Sequence, residues 1–446
     1  MYKKAALLVF ISVLLVFALV GKGGNFKAFG DTSNSTTSNS WPMFRHDLRH
    51  SGYSTSKAPN SNSLAWRFQT GGMVHSSPAI VDGTVFVGSD SGKVYAIDEN
   101  TGTLIWSFQT VNAVWSSPAV SDGKVFVGSD DRNVYALDAA TGTKIWSYRT
   151  GGNVRSSPAV FGGMVFIGSY RPDNKVYALN ATTGALVWSY TFGSYAYSSP
   201  AVVGGVVFVG SDDRKVYALN ASTGALVWNY TTSGYVYSSP TVADGKVFIG
   251  AVGSIDGKVY ALNAITGEKI WSYKTGGKVY SSPAVFGGMV FVGSHYPDNK
   301  VYALDASTGA LVWNYTTGDR VYSSPAVADD KVFVGSEDGK VYALNAMTGA
   351  LVWSYKTGGR VYSSPAVADG MVFVGSYDGK VYAFGSRDLA SPQNILPNII
   401  TYVTAGVIIF IIVMAIVVYF LRVKRRTVRR GRRRWKKRER LSSLSV

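Results

Sequence analysis

Between residues 64 and 384, short apolar runs alternate with polar breaks that contain glycine, and the pattern returns about every forty residues. One unit shows its grammar. Residues 114–120 (Val-Trp-Ser-Ser-Pro-Ala-Val) precede Asp122-Gly123, residues 124–129 (Lys-Val-Phe-Val-Gly-Ser) have a continuous apolar centre, and residues 133–138 form a third run. Thr141-Gly142 then breaks the chain before residues 143–149, which carry Trp146. Runs of this length, bounded by glycine-containing pairs, predict four strands joined by tight turns. The uninterrupted centre of the second run predicts a strand covered on both faces. Pro118 offers no donor to a ladder, so the first strand belongs at a sheet edge.

The unit recurs eight times. Ser-Ser-Pro ends at Pro78, Pro118, Pro158, Pro200, Pro240, Pro283, Pro325 and Pro365. In step with it run Trp66, Trp106, Trp146, Trp188, Trp228, Trp271, Trp313 and Trp353, at spacings of 40–43 residues. That is the length of one four-stranded propeller blade. The last unit stops after residues 380–384 without its Trp strand, whereas the array begins with an orphan Trp strand at 64–70. Using the orphan as the outer strand of the last unit completes eight blades and locks the ring shut. The predicted fold is therefore all-β: an eight-bladed β-propeller over 64–384, closed by its N-terminal strand.

Charge changes the picture at the chain ends. The formal charge is +17, but residues 422–446 hold 13 Lys/Arg against Glu439, and Lys3, Lys4, Lys22 and Lys27 add four more. Only +1 remains for residues 28–421. No basic face is implied there, and no nucleic-acid partner is expected. Residues 399–421 are 23 positions without a charge, long enough for a transmembrane helix, with the basic tail on its cytoplasmic side. Residues 1–30 read as a signal peptide or signal anchor. The expected order is this leader, a Ser/Thr/Asn-rich linker and lead-in (31–63), the propeller, a stalk (385–398), the span and the tail. The location that follows is the cell membrane, with the propeller extracellular and the C-terminus cytoplasmic. The tail reads first as a topology signal, with anionic lipid as a further candidate partner. With no cysteine in the chain, disulfides, thiol chemistry and a lipidated N-terminal cysteine are excluded.

The run Ala136-Leu137-Asp138-Ala139-Ala140-Thr141-Gly142-Thr143-Lys144-Ile145-Trp146 resembles the tryptophan-docking motif of the quinoprotein-type (PQQ-like, BamB-like) propellers. The eight tryptophans are its docking residues, and Asn180, Asn220, Asn263 and Asn345 replace the motif's aspartate. The segment 41–53 (Trp-Pro-Met-Phe-Arg-His-Asp…Gly-Tyr) resembles the lead-in found before such arrays in exported prokaryotic proteins, many of them archaeal. The family includes both quinone-dependent alcohol dehydrogenases and non-enzymatic assembly factors, and fold does not choose between them. In the enzymes, the resemblance implies pyrroloquinoline quinone and calcium held by acidic and amide ligands on long insertions, often with a disulfide. Here units of 40–43 residues leave no room for insertions, and no Asp-x-Asp-x-Asp-Gly calcium loop is present.

No catalytic residue, metal ligand or cofactor is therefore assigned. Quinone and calcium enter only under the alternative of a quinoprotein dehydrogenase. A glycan lyase or hydrolase would need a pair of channel carboxylates, which the sequence does not single out. His46 and His50 have i,i+4 spacing but no third ligand, and read as lead-in packing; His75 and His295 read as repeat variation.

The position before each Ser-Ser-Pro reads His75, Trp115, Arg155, Tyr197, Tyr237, Tyr280, Tyr322 and Tyr362. Two residues earlier stand Met73, Ala113, Asn153, Tyr195, Tyr235, Lys278, Arg320 and Arg360. Strand period two puts each pair on one side. The result is a rim of aromatic and basic side chains suited to an extracellular protein or glycan. Tyrosine at five of eight units favours a packing role between blades. The non-repeating His75, Trp115, Arg155, Lys278, Arg320 and Arg360 are the candidate binding residues. The loops 169–175 and 294–300 (Ser-x-x-Pro-Asp-Asn-Lys) and 251–258 are candidate partner loops. Sequons at Asn34, Asn180, Asn220, Asn229 and Asn314 are candidate glycosylation sites, although most arise from the repeat itself. The expected function is a membrane-anchored extracellular binding scaffold.

Overall fold

A computed structural model describes residues 40–253 and 257–386. The leader, Asn34, residues 387–398 of the stalk, the span at 399–421 and the basic tail lie outside the described residues. Among the described residues no helix is long and apolar enough to cross a membrane.

The second blade has an inner strand Ala119–Ser121, then Lys124–Gly128, Asn133–Asp138 and an outer strand Lys144–Arg149. The other inner strands are Ala79–Val81, Ala159–Phe161, Ala201–Val203, Thr241–Ala243, Ala284–Phe286, Ala326–Ala328 and Ala366–Ala368, and number blades 1 to 8 in chain order. Each blade is an antiparallel meander. The outer strand of blade 8 is Leu64–Gln69, paired with Lys380–Gly385. The ring therefore closes through the strand that the sequence left over. Middle strands are buried along their centres, as at 125–128 in Lys124–Gly128, because neighbouring blades cover both faces. Outer strands bury essentially the tryptophan alone.

The tryptophans join the blades. Trp106 Nε1 donates to the Ala139 carbonyl of blade 2 at 2.9 Å, and its ring lies on Gly142. A Cβ there would stand 2.6 Å from the indole, so only glycine admits the ring. Trp353 has no such turn ahead of it, because the last blade ends at Gly385. It donates instead to the Pro59 carbonyl of the lead-in at 3.0 Å. Interchange of Asp and Asn in the motif is also explained. Asp138 and Asn180 each use one Oδ1 to accept from the following Thr N–H and hydroxyl, so either side chain serves.

The inner strands are shorter than expected. Residues 114–118 are not strand, because Ser-Ser-Pro spends its hydrogen bonds on other partners. The N–H of the second serine donates to the second serine Oγ of the next blade: Ser77 to Ser117, Ser117 to Ser157, Ser157 to Ser199, Ser199 to Ser239. The series continues from Ser239 to Ser282, Ser324 and Ser364 and returns to Ser77 at 2.9 Å. Eight bonds thus make a closed belt around the channel. In seven blades the first serine Oγ accepts from a glycine N–H of its own second strand, as Ser76 does from Gly88.

The lead-in circles the channel once on the face that carries the Asp-Gly turns. Trp41 pairs with Ile80 of blade 1, and Pro42 O accepts from Val120 of blade 2. The carbonyls of Leu48, Arg49, Ser51 and Gly52 accept from Val202, Val242, Val285 and Val327 of blades 4 to 7. Tyr53–Ser54 adds a parallel strand to blade 7, and Ser56 Oγ accepts from Gly370 of blade 8. Arg45, 1% exposed, donates its two Nη groups to the Pro283 and Pro325 carbonyls. His50 Nδ1 lies 3.1 Å from the Pro240 carbonyl. Proline cannot donate, but its carbonyl faces the channel and anchors this plug.

Candidate functional site

The opposite mouth carries the crossings from outer to inner strands and the turns between second and third strands. Here the eight residues that precede Ser-Ser-Pro form a crown. His75 stacks on Trp115 at 3.9 Å, and the Arg155 guanidinium lies 4.1 Å over the Trp115 ring. Tyr170 bridges Arg155 to Tyr197. Tyr197, Tyr237, Tyr280, Tyr322 and Tyr362 then follow at 4.8–5.8 Å between successive ring centroids. Tyr362 returns to His75 at 5.9 Å. All eight are partly buried. The tyrosine rings meet those of neighbouring blades, but at the channel opening rather than in the wall between blades. The blade interface is filled by the residue just before them, as where Val154 meets Gly128, while the tyrosines meet one another around the mouth. The side-chain alternation puts valine in the wall and tyrosine at the opening.

A second set of residues, which sequence reasoning missed, stands directly beneath. In seven blades it follows the serine just after the second strand: Asp90, Asp130, Tyr170, Asp212, His295, Glu337 and Tyr377. Their N–H groups donate to the carbonyls of the other variable row, as Glu337 does to Arg320 and Tyr377 to Arg360. Each side chain faces the crown residue of its own or the next blade. Arg155 grips Asp130 through Nε and Nη2 at 2.8–3.2 Å. Tyr377 hydrogen-bonds His75 Nδ1 at 2.9 Å, and His75 Nε2 lies 3.5 Å from Asp90. Tyr237 stands beside Asp212 and helps hold its carboxyl charge. The signal for this set was its variability inside otherwise repeated turns, where Ser-Asp, Ser-Tyr, Ser-His and Ser-Glu interchange.

The predicted residues thus fall into two groups. His75, Trp115 and Arg155 come together over blades 1 to 3. Lys278, Arg320 and Arg360 stand over blades 6 to 8, where Arg360 Nη1 is 3.6 Å and Arg320 Nη1 3.9 Å from Glu337. His295, read from sequence as repeat variation, sits in this second group. Its ring meets Tyr280 and Tyr322, and its Nε2 lies 3.9 Å from Glu337 Oε1, too far for a hydrogen bond. Burial, reinforced by the Arg320 and Lys278 charges, lowers its pKa to about 4. Burial raises Asp212 to about 6 and Tyr197 to about 12.

Other candidates have local explanations. In loops 169–175 and 294–300, Asp173 and Asp298 accept from Gly151 and Gly276 N–H, as Asp213, Asp338 and Asp378 do in blades with the shorter loop. The shared aspartate is therefore a loop staple, and Tyr296 is left exposed at one tip. Of the sequons, Asn180 and Asn220 cap turns, while Asn229 and Asn314 are exposed on outer strands. His46 packs edge-on against Trp41, and His50 is buried in the plug. Among the described residues no group of three or more His, Asp or Glu side chains is placed to hold a metal ion.

Fold and site define an eight-bladed β-propeller, plugged at one face and crowned with aromatics at the other. Comparison with known proteins agrees. Residues 83–288 match the model for the beta-propeller of the beta-alanine-activating enzyme, and residues 297–391 match that for the outer membrane protein assembly factor BamB. No curated protein matches the chain. Among solved structures, BamB from Moraxella catarrhalis is 20% identical with a TM-score of 0.63, covering 72% of this chain and 99% of its own. A europium-containing methanol dehydrogenase is 16% identical with a TM-score of 0.67, covering 78% and 98%. The quinohemoprotein alcohol dehydrogenase of Comamonas testosteroni is 19% identical with a TM-score of 0.67, covering 80% and 82%. At these identities the likeness establishes the fold.

Proposed function

We propose that this protein is a non-enzymatic binding scaffold, held at the cell membrane by its C-terminal helix, whose crowned mouth binds an extracellular protein or glycan. The observation that carries the reading is the unequal finish of the two channel ends. One is closed by the chain's own lead-in, while the other presents aromatic rings and cationic side chains without a covering segment among the described residues. Large aromatic faces beside guanidinium groups are the chemistry of contact surfaces. The match to an assembly factor supports a partner-binding role.

The dehydrogenase alternative draws on the solved structures of quinoproteins. The donors at the mouth do not fit a calcium–quinone pair. Asp130 is engaged by Arg155, Glu337 lies between two guanidiniums, and the remaining acids stand on separate blades. A divalent cation would meet resident positive charge at both sites.

The test is binding of the labelled full-length chain, in detergent, to the envelope fraction of its host. Replacing Arg320 and Arg360 together by alanine is expected to abolish most of the binding. Unchanged binding would sink the proposal, as would dye-linked alcohol oxidation by protein reconstituted with quinone and calcium.

A further inference from the structure

We infer that the mouth is a carbohydrate site, taking an uncharged pyranose residue of a surface glycan between the tyrosine arc of blades 5 to 8 and the polar groups beneath it. This rests on the scaffold reading and names its ligand class. Four tyrosines, Tyr237, Tyr280, Tyr322 and Tyr362, run in unbroken ring contact from Asp212 to Glu337. Under this arc lie three side chains at least nine-tenths buried: Glu337 (6% exposed), Asp212 (7%) and His295 (9%). Each keeps hydrogen-bonding atoms without a protein partner, namely Glu337 Oε1, Asp212 Oδ1 and both ring nitrogens of His295. Buried polar atoms are ordinarily paired, and leaving one bare is unfavourable, so this group is primed for an incoming polar molecule.

Charge selects what that molecule is. An anion would face two bare carboxylate oxygens. A cation would face Lys278, Arg320 and Arg360, and the Arg320 and Lys278 charges already disfavour protonation of His295. A sugar carries no charge. Its hydroxyls both donate and accept, which serves carboxylates and a neutral imidazole together, and its C–H faces lie flat on phenol rings.

The experiment is calorimetric titration of the full-length chain in detergent with neutral manno-, gluco- and galacto-oligosaccharides, and in parallel with oligogalacturonate and oligolysine. The expected result is binding of at least one neutral series, weakened about tenfold or more in both Glu337→Gln and Tyr280→Ala. Lys57→Ala, on the plugged face, is expected to bind as the parent does. Unshifted thermal melting in the two mouth variants separates a lost ligand contact from a lost fold. The inference is overturned if no neutral oligosaccharide binds, if the charged probes bind instead, or if both mouth variants bind as the parent does. Envelope binding that depends on Arg320 and Arg360 without any oligosaccharide binding would overturn the sugar assignment alone and leave the scaffold standing.

Discussion

At the plugged face of the ring, Arg45 and His50 reach proline carbonyls of blades 5 to 7, and the lead-in accepts hydrogen bonds from nearly every blade in turn. At the crowned face, His295, Asp212 and Glu337 are also buried, though less completely, and hold atoms that pair with nothing in the chain. Both ends grow from the same eight repeats and share the serine belt between them. The difference arises from what the repeat does not specify. At the plug, a non-repeating segment supplies partners to most blades, although Arg45 Nε and His46 Nδ1 stay unpaired. At the mouth, repeated positions have diverged in pairs, such as Arg155 with Asp130 and Tyr362 with Glu337, without complete pairing. Stability is invested at one end and recognition at the other.

The sharpest way to break this contrast is Arg45→Ala. It strips two charge-assisted bonds from buried carbonyls and is expected to lower stability by about 3 kcal/mol, measured by urea unfolding. If the plug is dispensable, the shift will be within error. Next in size is the belt. Ser239→Ala leaves the buried Ser199 N–H without its acceptor and is expected to cost about 1–2 kcal/mol. Ser77→Ala, at the seam between blades 8 and 1, is expected to match it. A much smaller effect at the seam would mean that the ring is not held evenly.

Acid titration distinguishes His50 of the plug from Asp212 of the mouth by sign, whereas His295 at the mouth, also lowered to about 4, follows His50. Burial lowers His50 in the plug from 6.5 to about 4. A depressed base binds fewer protons folded than unfolded, so its contribution is lost as pH falls from about 6.5 toward 4. Asp212 at the mouth is raised from 3.8 to about 6, so its contribution is greatest below 3.8 and is lost as pH rises through 6. Melting temperatures between pH 4 and 7 are expected to show a flatter acid decline in His50→Gln and a steeper one in Asp212→Asn. Slopes changing in the same direction would contradict the assignment. The smallest expected effect on stability is that of Glu337→Gln, within about 1 kcal/mol of the parent, because the carboxylate is incompletely paired. A loss as large as that of Arg45→Ala would make Glu337 structural.

Most of the architecture was legible in the sequence because it is periodic. The Trp and Ser-Ser-Pro rows counted the blades, and the orphan strand at 64–69 revealed the closure. The length of the inner strands was not legible, since Ser117 bonds to Ser157 forty residues away and nothing local announces it. The plug was hidden for the same reason: Arg45 and His50 find their partners about 190–280 residues along the chain. At the mouth, alternation before Ser-Ser-Pro revealed half of the site. The other half, Asp90, Asp130, Asp212, His295 and Glu337, stands in turns, where no period marks the face to which a side chain points. Only the closed ring brings the two sets together.

The most direct measurement of the central claim is oxidative footprinting of tyrosines in the full-length chain, with and without the host envelope fraction. The account predicts protection concentrated at Tyr237, Tyr280, Tyr322 and Tyr362, with Tyr53 at the plugged face unchanged. Protection at Tyr53 with the crown unprotected would contradict it.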